Sequence, residues 1–284
     1  MLTLYATAYL HPGAGSTTGA IDLPVQREVH NNLPVMAASS LKGALRQKAG
    51  NMEGVEAIFG PGTANTDKHA GALVVGEAKL LAMPIRSLEN VFWWSSSPLV
   101  FGGLRRDLAR IGVDLPEVPA PREGHAIVPA GSGAGRLILE ELDFEAQESE
   151  ELGEALEEIK ARLLPTGAGE YLLDKFSKDF ALVGDDDLRH LCRTGTQVSA
   201  RVQLDDNKKS NNLWYEETLP PETIFYAVVL AQKARDGNGM DEVEVMRRFE
   251  SGVVDTEGAL LQVGGNETVG QGWCCVRLSD GGTR

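Results

Sequence analysis

Apolar and polar positions change rhythm twice within the first fifty residues. Residues 2–9 alternate and carry β-branched and aromatic side chains, which predicts a strand. A glycine- and threonine-rich stretch follows. Leu41, Ala44 and Leu45 then fall on one side of a helix, with Ser39 or Ser40 as its N-cap and Gly50 as its C-cap. Residues 73–83 read as a strand, and Ser97-Pro98 opens a helix through Phe101 and Leu104 to about Ile111. A Pro- and Gly-rich stretch, residues 112–135, interrupts regular structure apart from a short strand near 126–128, so insertions belong there. Residues 136–139 predict a strand, 149–163 an acidic amphipathic helix and 185–193 a helix with aspartates in its first turn. Residues 196–204 alternate, 205–212 are turn formers and lysines, and 213–217 resume the strand, which is a hairpin with a cationic, polar tip. An apolar strand at 222–233, an amphipathic helix at 240–250 and short strands at 260–263 and 273–278 complete the chain. Strands outnumber helices but alternate with them, which indicates an α+β fold. The β-α-β order at both ends suggests a ferredoxin-like core carrying insertions.

Composition changes this picture little. With 284 residues, 42% hydrophobic and 24% charged, the chain buries one large core, or a core with insertions. Its longest apolar runs, 224–231 and 259–261, are far shorter than the roughly 20 residues of a membrane span. No basic segment precedes the first apolar stretch as in a signal peptide, so the expected location is cytoplasmic, with no membrane partner. Cys192, Cys274 and Cys275 fit neither a disulfide framework nor a metal motif and are expected as buried thiols.

Charge matters more. The net charge of −14 weighs against a nucleic-acid partner, but acid is concentrated in residues 140–158, expected as a solvated helix, and in 185–187. Basic residues cluster elsewhere: Lys42, Arg46 and Lys48; Arg105, Arg106 and Arg110; Lys208 and Lys209. Lys42 and Arg46 share a helix face beside the free first-turn amides near Ser39 and Ser40, which makes either an anion site or a solvated face. GGNETVGQG, residues 264–272, has glycines at 264, 265, 270 and 272 but neither a Walker lysine nor a dinucleotide fingerprint. It reads as a tight loop or as a cradle for a phosphate backbone. His11 and Asp22 flank the Gly/Thr-rich stretch. Each alone fits a turn residue, whereas together a carboxylate can bind a divalent cation or take a proton with imidazole as its partner. Phe92, Trp93 and Trp94 fit either base stacking or core packing. No zinc site or Ser-His-Asp elbow is present in the pattern.

Five segments taken in order, HPGAGSTTGAIDLPVQRE (residues 11–28), LPVMAASSLKGALR (33–46), PIRSLENVFWWSSSP (84–98), LWYEETLPPETIFY (213–226) and GGNETVGQG, resemble one family. It is the subunit-four family of the type III-B CRISPR Cmr complex, a backbone branch of the RAMP superfamily. The resemblance implies a single RAMP domain over residues 1–284: a ferredoxin-like, RRM-related palm with inserted segments at about 84–193 and a protruding hairpin thumb at about 202–217. It further implies a filament of copies along CRISPR guide RNA, beside other Cmr subunits. Each copy would cut paired single-stranded target RNA at regular intervals with a divalent cation, Mg or Mn. On this resemblance the catalytic aspartate, also the metal ligand, falls on Asp22 and the motif histidine on His11. Guide contacts fall on Ser39, Ser40, Lys42, Gly43 and Arg46, with the loop of Gly264, Gly265 and Gly270 near the same RNA and Lys208 and Lys209 on the thumb.

The chemistry is compatible with so sparse a site. RNA can be cleaved by attack of its own 2′-hydroxyl, so a protein need only align that group, help remove its proton and offset charge on the phosphate. Two other classes compete: a RAMP scaffold that binds guide RNA without cutting, and a metabolic enzyme using the glycine loop for a nucleotide, for which no cofactor motif is present.

Overall fold

The computed structural model describes residues 1–62, 69–237, 239–254 and 259–279. The chain starts with β1 (Leu2–Ala6), buried at every position, so both faces of the sheet are covered there. After a long loop come β2 (Val35–Met36), α1 (Ala38–Ala49), α2 (Val55–Phe59), β3 (Leu73–Val75) and β4 (Ala78–Arg86). Next are β5 (Phe92–Ser96), α3 (Pro98–Ala109), β6 (His125–Pro129), β7 (Arg136–Leu139), β8 (Leu142–Ser149) and α4 (Glu150–Arg162). Then follow α5 (Glu170–Lys178), β9 (Phe180–Leu182), α6 (Asp185–Thr194), β10 (Gln197–Leu204) and β11 (Ser210–Thr218). The chain returns through β12 (Ile224–Ala227), β13 (Val229–Ala231), α7 (Glu242–Val253), β14 (Ala259–Gln262) and β15 (Trp273–Leu278).

The central strands lie in the order β15-β1-β12-β4, each antiparallel to its neighbour. Taken along the chain with α1 and α7, which pack together, they form a β-α-β-β-α-β succession whose fourth strand lies beside the first and whose third lies between first and second. That is the order the ferredoxin-like expectation requires. β4 is long enough to serve two sheets: Lys79 to Ala82 pair with β12 and Met83 to Arg86 with β5. The sheet thereby continues through β5-β9-β6-β8-β7 into an inserted lobe.

Several boundaries differ from the sequence reading. The strand expected at 73–83 breaks at Gly76, whose N–H donates to Val228 O at 2.8 Å, so β3 pairs with β13 apart from the main sheet. The strand expected at 222–233 is likewise divided into β12 and β13. Residues 142–149, read as part of an acidic helix, form β8, which pairs with β6 and β7; cross-strand pairing overrides the helix-forming glutamates. Ser149 does cap α4, accepting from Leu152 N–H at 3.1 Å. Trp93 and Trp94 are buried on β5, and Trp94 packs edge-to-face against Phe92 and Phe176, which is the core-packing reading of this cluster. All three cysteines are buried free thiols, with Cys192 and Cys274 pushed up to about 12 by burial.

The acid is segregated. Residues 140–190 hold sixteen Asp or Glu against five Lys or Arg, a net of −11 within the chain's −14. Most of the negative charge therefore sits on the inserted lobe.

One half-buried acid of the palm has a pH-dependent role. Glu222 stands at a left-handed φ of 70° in the turn before β12, and Tyr5 OH donates to its carboxylate. Burial holds this carboxyl above its ordinary range, against the opposing pull of the Tyr5 hydrogen bond. A raised folded-state value favours the neutral form, so the contribution to stability is full below the usual glutamate range near ~4.3 and is lost as pH rises through the raised value. Glu222→Gln, permanently neutral, is expected to melt above wild type at pH 8 and level with it near pH 4. A Tm difference that does not grow with pH would contradict this.

Candidate functional site

The site is built on one edge of β11. β10 and β11 pair from Gln197↔Thr218 to Leu204↔Ser210, closed by residues 205–209. Asp205 Oδ1 accepts from the N–H of Asn207 (2.9 Å) and Lys209 (2.8 Å), and Lys208 takes a left-handed φ of 61°. The turn is shorter than the 205–212 expected, because Ser210 to Asn212 already belong to β11. Alternation puts Val198, Val202, Leu213 and Tyr215 on one face of this ribbon, all exposed, while Glu216, Glu217 and Thr218 are buried at its root.

The Gly/Thr-rich loop docks on that root. It folds back on itself: Ala14 N–H donates to Pro24 O at 3.0 Å and Gln26 N–H to Pro12 O at 2.8 Å. Leu23 N–H then donates to Tyr215 O, and Glu217 N–H to Leu23 O, both at 3.0 Å. Asp22 Oδ2 accepts from Tyr215 N–H at 2.7 Å, and His11 Nδ1 lies 2.7 Å from Glu217 O. Residues 215 and 217 are two apart on an extended strand, so these anchors are about 7 Å apart on the same edge. The structure thus brings together the acid and the imidazole that the sequence separated by ten residues.

The Glu217 carbonyl also decides the imidazole tautomer. A carbonyl only accepts, so Nδ1 carries the proton and Nε2 of the neutral ring is left as the base. A Cβ on residue 13 would lie 2.7 Å from Nε2, so Gly13 keeps that nitrogen clear. Gly264, at φ 77°, does the same for the backbone: a Cβ there would lie 2.4 Å from His11 O, and Gly265 N–H donates to that oxygen at 3.1 Å. The glycine loop's close approach is therefore to His11 itself.

Two buried carboxylates behind the loop escaped the sequence reading. Glu217 accepts from Val25 N–H (2.9 Å) and from Arg27 Nη2 (2.6 Å), while Arg27 also donates to Asn32 O (3.2 Å) and Cys192 O (3.1 Å). Glu216 accepts from Arg201 Nε (3.1 Å) and from Asn266 Nδ2, and lies 3.9 Å from His11 Nδ1. The available signal was a pair of adjacent glutamates at the end of a strand whose apolar alternation had just been running.

α1 starts two to three residues earlier than expected. Its N-cap is Ala37, without a side-chain bond, so Ser39 and Ser40 lie exposed in the first turn rather than capping it. Gly43 follows on the same exposed side, and a Cβ there would meet nothing within 4 Å. Lys42 and Arg46 are turned toward the chain: Lys42 Nζ donates to Leu73 O (2.8 Å) and Arg46 Nη1 to Gly60 O (2.7 Å). Burial, then the Arg46 charge, pull the Lys42 ammonium below its ordinary value. Lys208 and Lys209 are exposed on the hairpin turn, and Gly270 is exposed in the left-handed region. Arg106 and Arg110 flank the buried Asp107, and Arg105 donates to Leu115 O.

Among the described residues no group of three or more His, Cys, Asp or Glu is arranged around a cation, and no donor lies on Asp22 Oδ1. Asp22 Oδ1 would offer a single carboxylate oxygen to a cation such as Mg²⁺, with phosphate oxygens and water completing the shell. No helix among the described residues is long and apolar enough to cross a membrane.

The sequence profile of the RAMP superfamily matches residues 3–275. The CRISPR system Cmr endoribonuclease Cmr4 of Pyrococcus furiosus is 33% identical over 291 residues, covering 99% of this chain and 95% of that protein. The crystal structure of oligomeric Cmr4 from Pyrococcus furiosus superposes with a TM-score of 0.74 at 29% identity, over 98% of this chain and 96% of that one. A type III-B Cmr-beta complex bound to cognate target RNA, solved by cryo-EM, contains a chain that superposes with a TM-score of 0.74 at 20% identity. It covers 97% of this chain and 95% of that one, and at that identity shows the fold alone.

Proposed function

This chain belongs to the RAMP superfamily and, within it, to the Cmr4 family, and from that membership we propose that it is a guide-RNA-binding endoribonuclease of a type III-B CRISPR complex. It works in the cytoplasm as one of several copies in a helical filament with other Cmr subunits, and cuts paired single-stranded target RNA at regular intervals. The observation that carries this reading is the anchoring of Asp22 and His11 two residues apart on one edge of β11, at the root of the exposed hairpin.

In the reaction, the 2′-hydroxyl oxygen attacks the adjacent phosphorus and the 5′-oxygen leaves, taking a proton from water, which gives a 2′,3′-cyclic phosphate and a 5′-hydroxyl end. His11 Nε2 takes the 2′-hydroxyl proton, with Nδ1–H held by the Glu217 carbonyl and the Glu216 carboxylate beside it to balance the imidazolium. Asp22 orients the scissile unit from its anchor on Tyr215 and would hold a divalent cation, Mg or Mn, together with phosphate oxygens and water. That cation would offset charge developing on the phosphate. The hairpin wedges the guide-target duplex and sets which phosphate lies beside Asp22. The test is the assembled complex with guide and target, with and without EDTA. Evenly spaced fragments that vanish with EDTA and return with Mg²⁺ support the reading; EDTA-resistant cutting removes the cation, and binding without cutting leaves a scaffold.

Guide RNA passes the start of α1, where exposed hydroxyls of Ser39 and Ser40, free first-turn amides and the open backbone of Gly43 suit a phosphate chain. The remaining donors of Lys42 and Arg46, and the exposed Lys208, Lys209 and Gly270, add contacts along the same strand. Glycine inside a helix costs about 1 kcal/mol against alanine, and nothing in the chain requires it at 43. Gly43→Leu is therefore expected to leave Tm unchanged or higher while weakening guide binding about tenfold, read by filter binding and thermal melting. Unchanged affinity would take this face out of the RNA path.

A further inference from the structure

Leu10 is tied to Leu219, just past the hairpin root, through both of its backbone groups: its N–H donates to Leu219 O at 3.0 Å and its carbonyl accepts from Leu219 N–H at 2.8 Å. The carbonyls on either side of it point the other way, to the glycine loop. Tyr9 O accepts from Gly272 N–H (2.8 Å) and His11 O from Gly265 N–H (3.1 Å). Residues 9–11 are therefore an extended segment held along both edges. Successive side chains of such a segment leave opposite faces, so Tyr9 and His11 emerge together, about 7 Å apart, on the face away from Leu10.

Burial separates the three. Leu10 is fully buried and His11 is 8% exposed, whereas Tyr9 is 39% exposed. Among the described residues no other ring and no cation packs on Tyr9, and its hydroxyl has no hydrogen-bond partner. The fold thus fixes the backbone of this residue and leaves its ring bare. The space before the imidazole is bare as well, because Gly13 and Gly265 stand beside it. A Cβ on residue 13 would lie 2.7 Å from Nε2, and one on residue 265 would lie 3.4 Å from Cδ2. For a substrate that reaches Nε2, the next side chain along that face is Tyr9.

The chemistry of the ring selects the part of the substrate it meets. A phenol has no positive charge with which to grip phosphate, but its flat apolar face and polar tip suit a nucleobase. Stacking also fits the demand on such a site. Where guide pairing chooses the target, the protein at the cut must accept any base, and stacking does so because every base has a π-face.

We propose that Tyr9 stacks on the nucleobase of the ribose whose 2′-hydroxyl His11 deprotonates, and thereby holds that ribose before Nε2. The inference rests on the reading of the chain as an endoribonuclease and names a residue that positions its substrate. Proton transfer stays with His11. Tyr9 contributes the placement of the reacting group, on which the rate depends steeply.

The test is single-turnover cleavage by complexes assembled with wild type, Tyr9→Phe and Tyr9→Ala, at matched guide and target occupancy. Each is given an ordinary target and one that is abasic at a single cut position. Tyr9→Phe should melt with wild type, and Tyr9→Ala no more than about 4 °C below it, since the ring is partly exposed and makes no hydrogen bond. On the ordinary target Tyr9→Phe should cut at the wild-type rate and Tyr9→Ala about tenfold more slowly. Removing the base should slow wild type and Tyr9→Phe about tenfold more than it slows Tyr9→Ala, which has no ring left to lose contact with. Lost pairing to the guide slows all three alike and cancels in that ratio. An abasic penalty equal in wild type and Tyr9→Ala overturns the stacking, and so does Tyr9→Ala cutting at the wild-type rate. A slow Tyr9→Phe overturns it too, because the hydroxyl would then be the working group. Wild type that binds the target and never cuts it overturns the functional reading instead.

Discussion

Asp22→Asn should lower target cleavage about 10³-fold while leaving guide binding within about twofold of wild type, because the carboxylate acts on the scissile unit and takes no part in gripping the guide. The structure makes asparagine the sharper substitution. Asp22 has two duties: Oδ2 accepts from Tyr215 N–H at 2.7 Å, and the negative charge serves the reaction. An asparagine side-chain oxygen can still accept from Tyr215, so the loop stays on the hairpin root and only the charge is lost. Alanine removes both. If Asp22→Ala alone lost activity and Asp22→Asn cut normally, the aspartate would be a loop anchor and the carboxylate would drop out of the chemistry. Equal losses in both, measured on assembled complexes with matched guide occupancy, place the charge in the reaction.

How much of this was legible in the sequence depended on the range of the interaction concerned. Periodicity and punctuation placed α1, α3, α7 and the hairpin within a few residues, because each is set by local pattern and its own caps or turn. β8 was hidden by its glutamates: its partners, β6 and β7, are recognisable only once folded beside it. His11 and Asp22 could be singled out as residue types, but their shared anchor on β11 lies 193 residues or more away and has no local sign. The same holds for Lys42 and Arg46. Their i, i+4 spacing showed a common face, whereas the carbonyls of Leu73 and Gly60 that draw them inward belong to a remote segment. Gly264 taught the reverse lesson. Its freedom was readable, and its use, a close approach to the His11 carbonyl, was not.

Shortening the hairpin should separate alignment from folding. Val202 and Leu213 are cross-strand partners, so residues 203–212 can be replaced by Asn-Gly, a two-residue turn whose twist suits such a ribbon. Every residue removed is exposed, and the turn bonds made by Asp205 Oδ1 are internal to the deleted segment. The root is retained: Tyr215 still anchors Asp22, Glu217 O still holds His11 Nδ1, and Glu217 still accepts from Arg27 and Val25. Few buried contacts are lost, so Tm should move by no more than about 2 °C, which in a chain of this size corresponds to a change of about 1 kcal/mol or less. Cleavage is a different matter. Misplacing a reacting group by an ångström can cost about 10²-fold, and the hairpin is the element that would hold the duplex in register with Asp22. The shortened chain should therefore cut about 10²-fold more slowly, or at positions that no longer repeat evenly, when product ends are mapped on a sequencing gel. Wild-type rates at wild-type positions would mean that the root alone aligns the substrate and that the projecting ribbon serves some other contact.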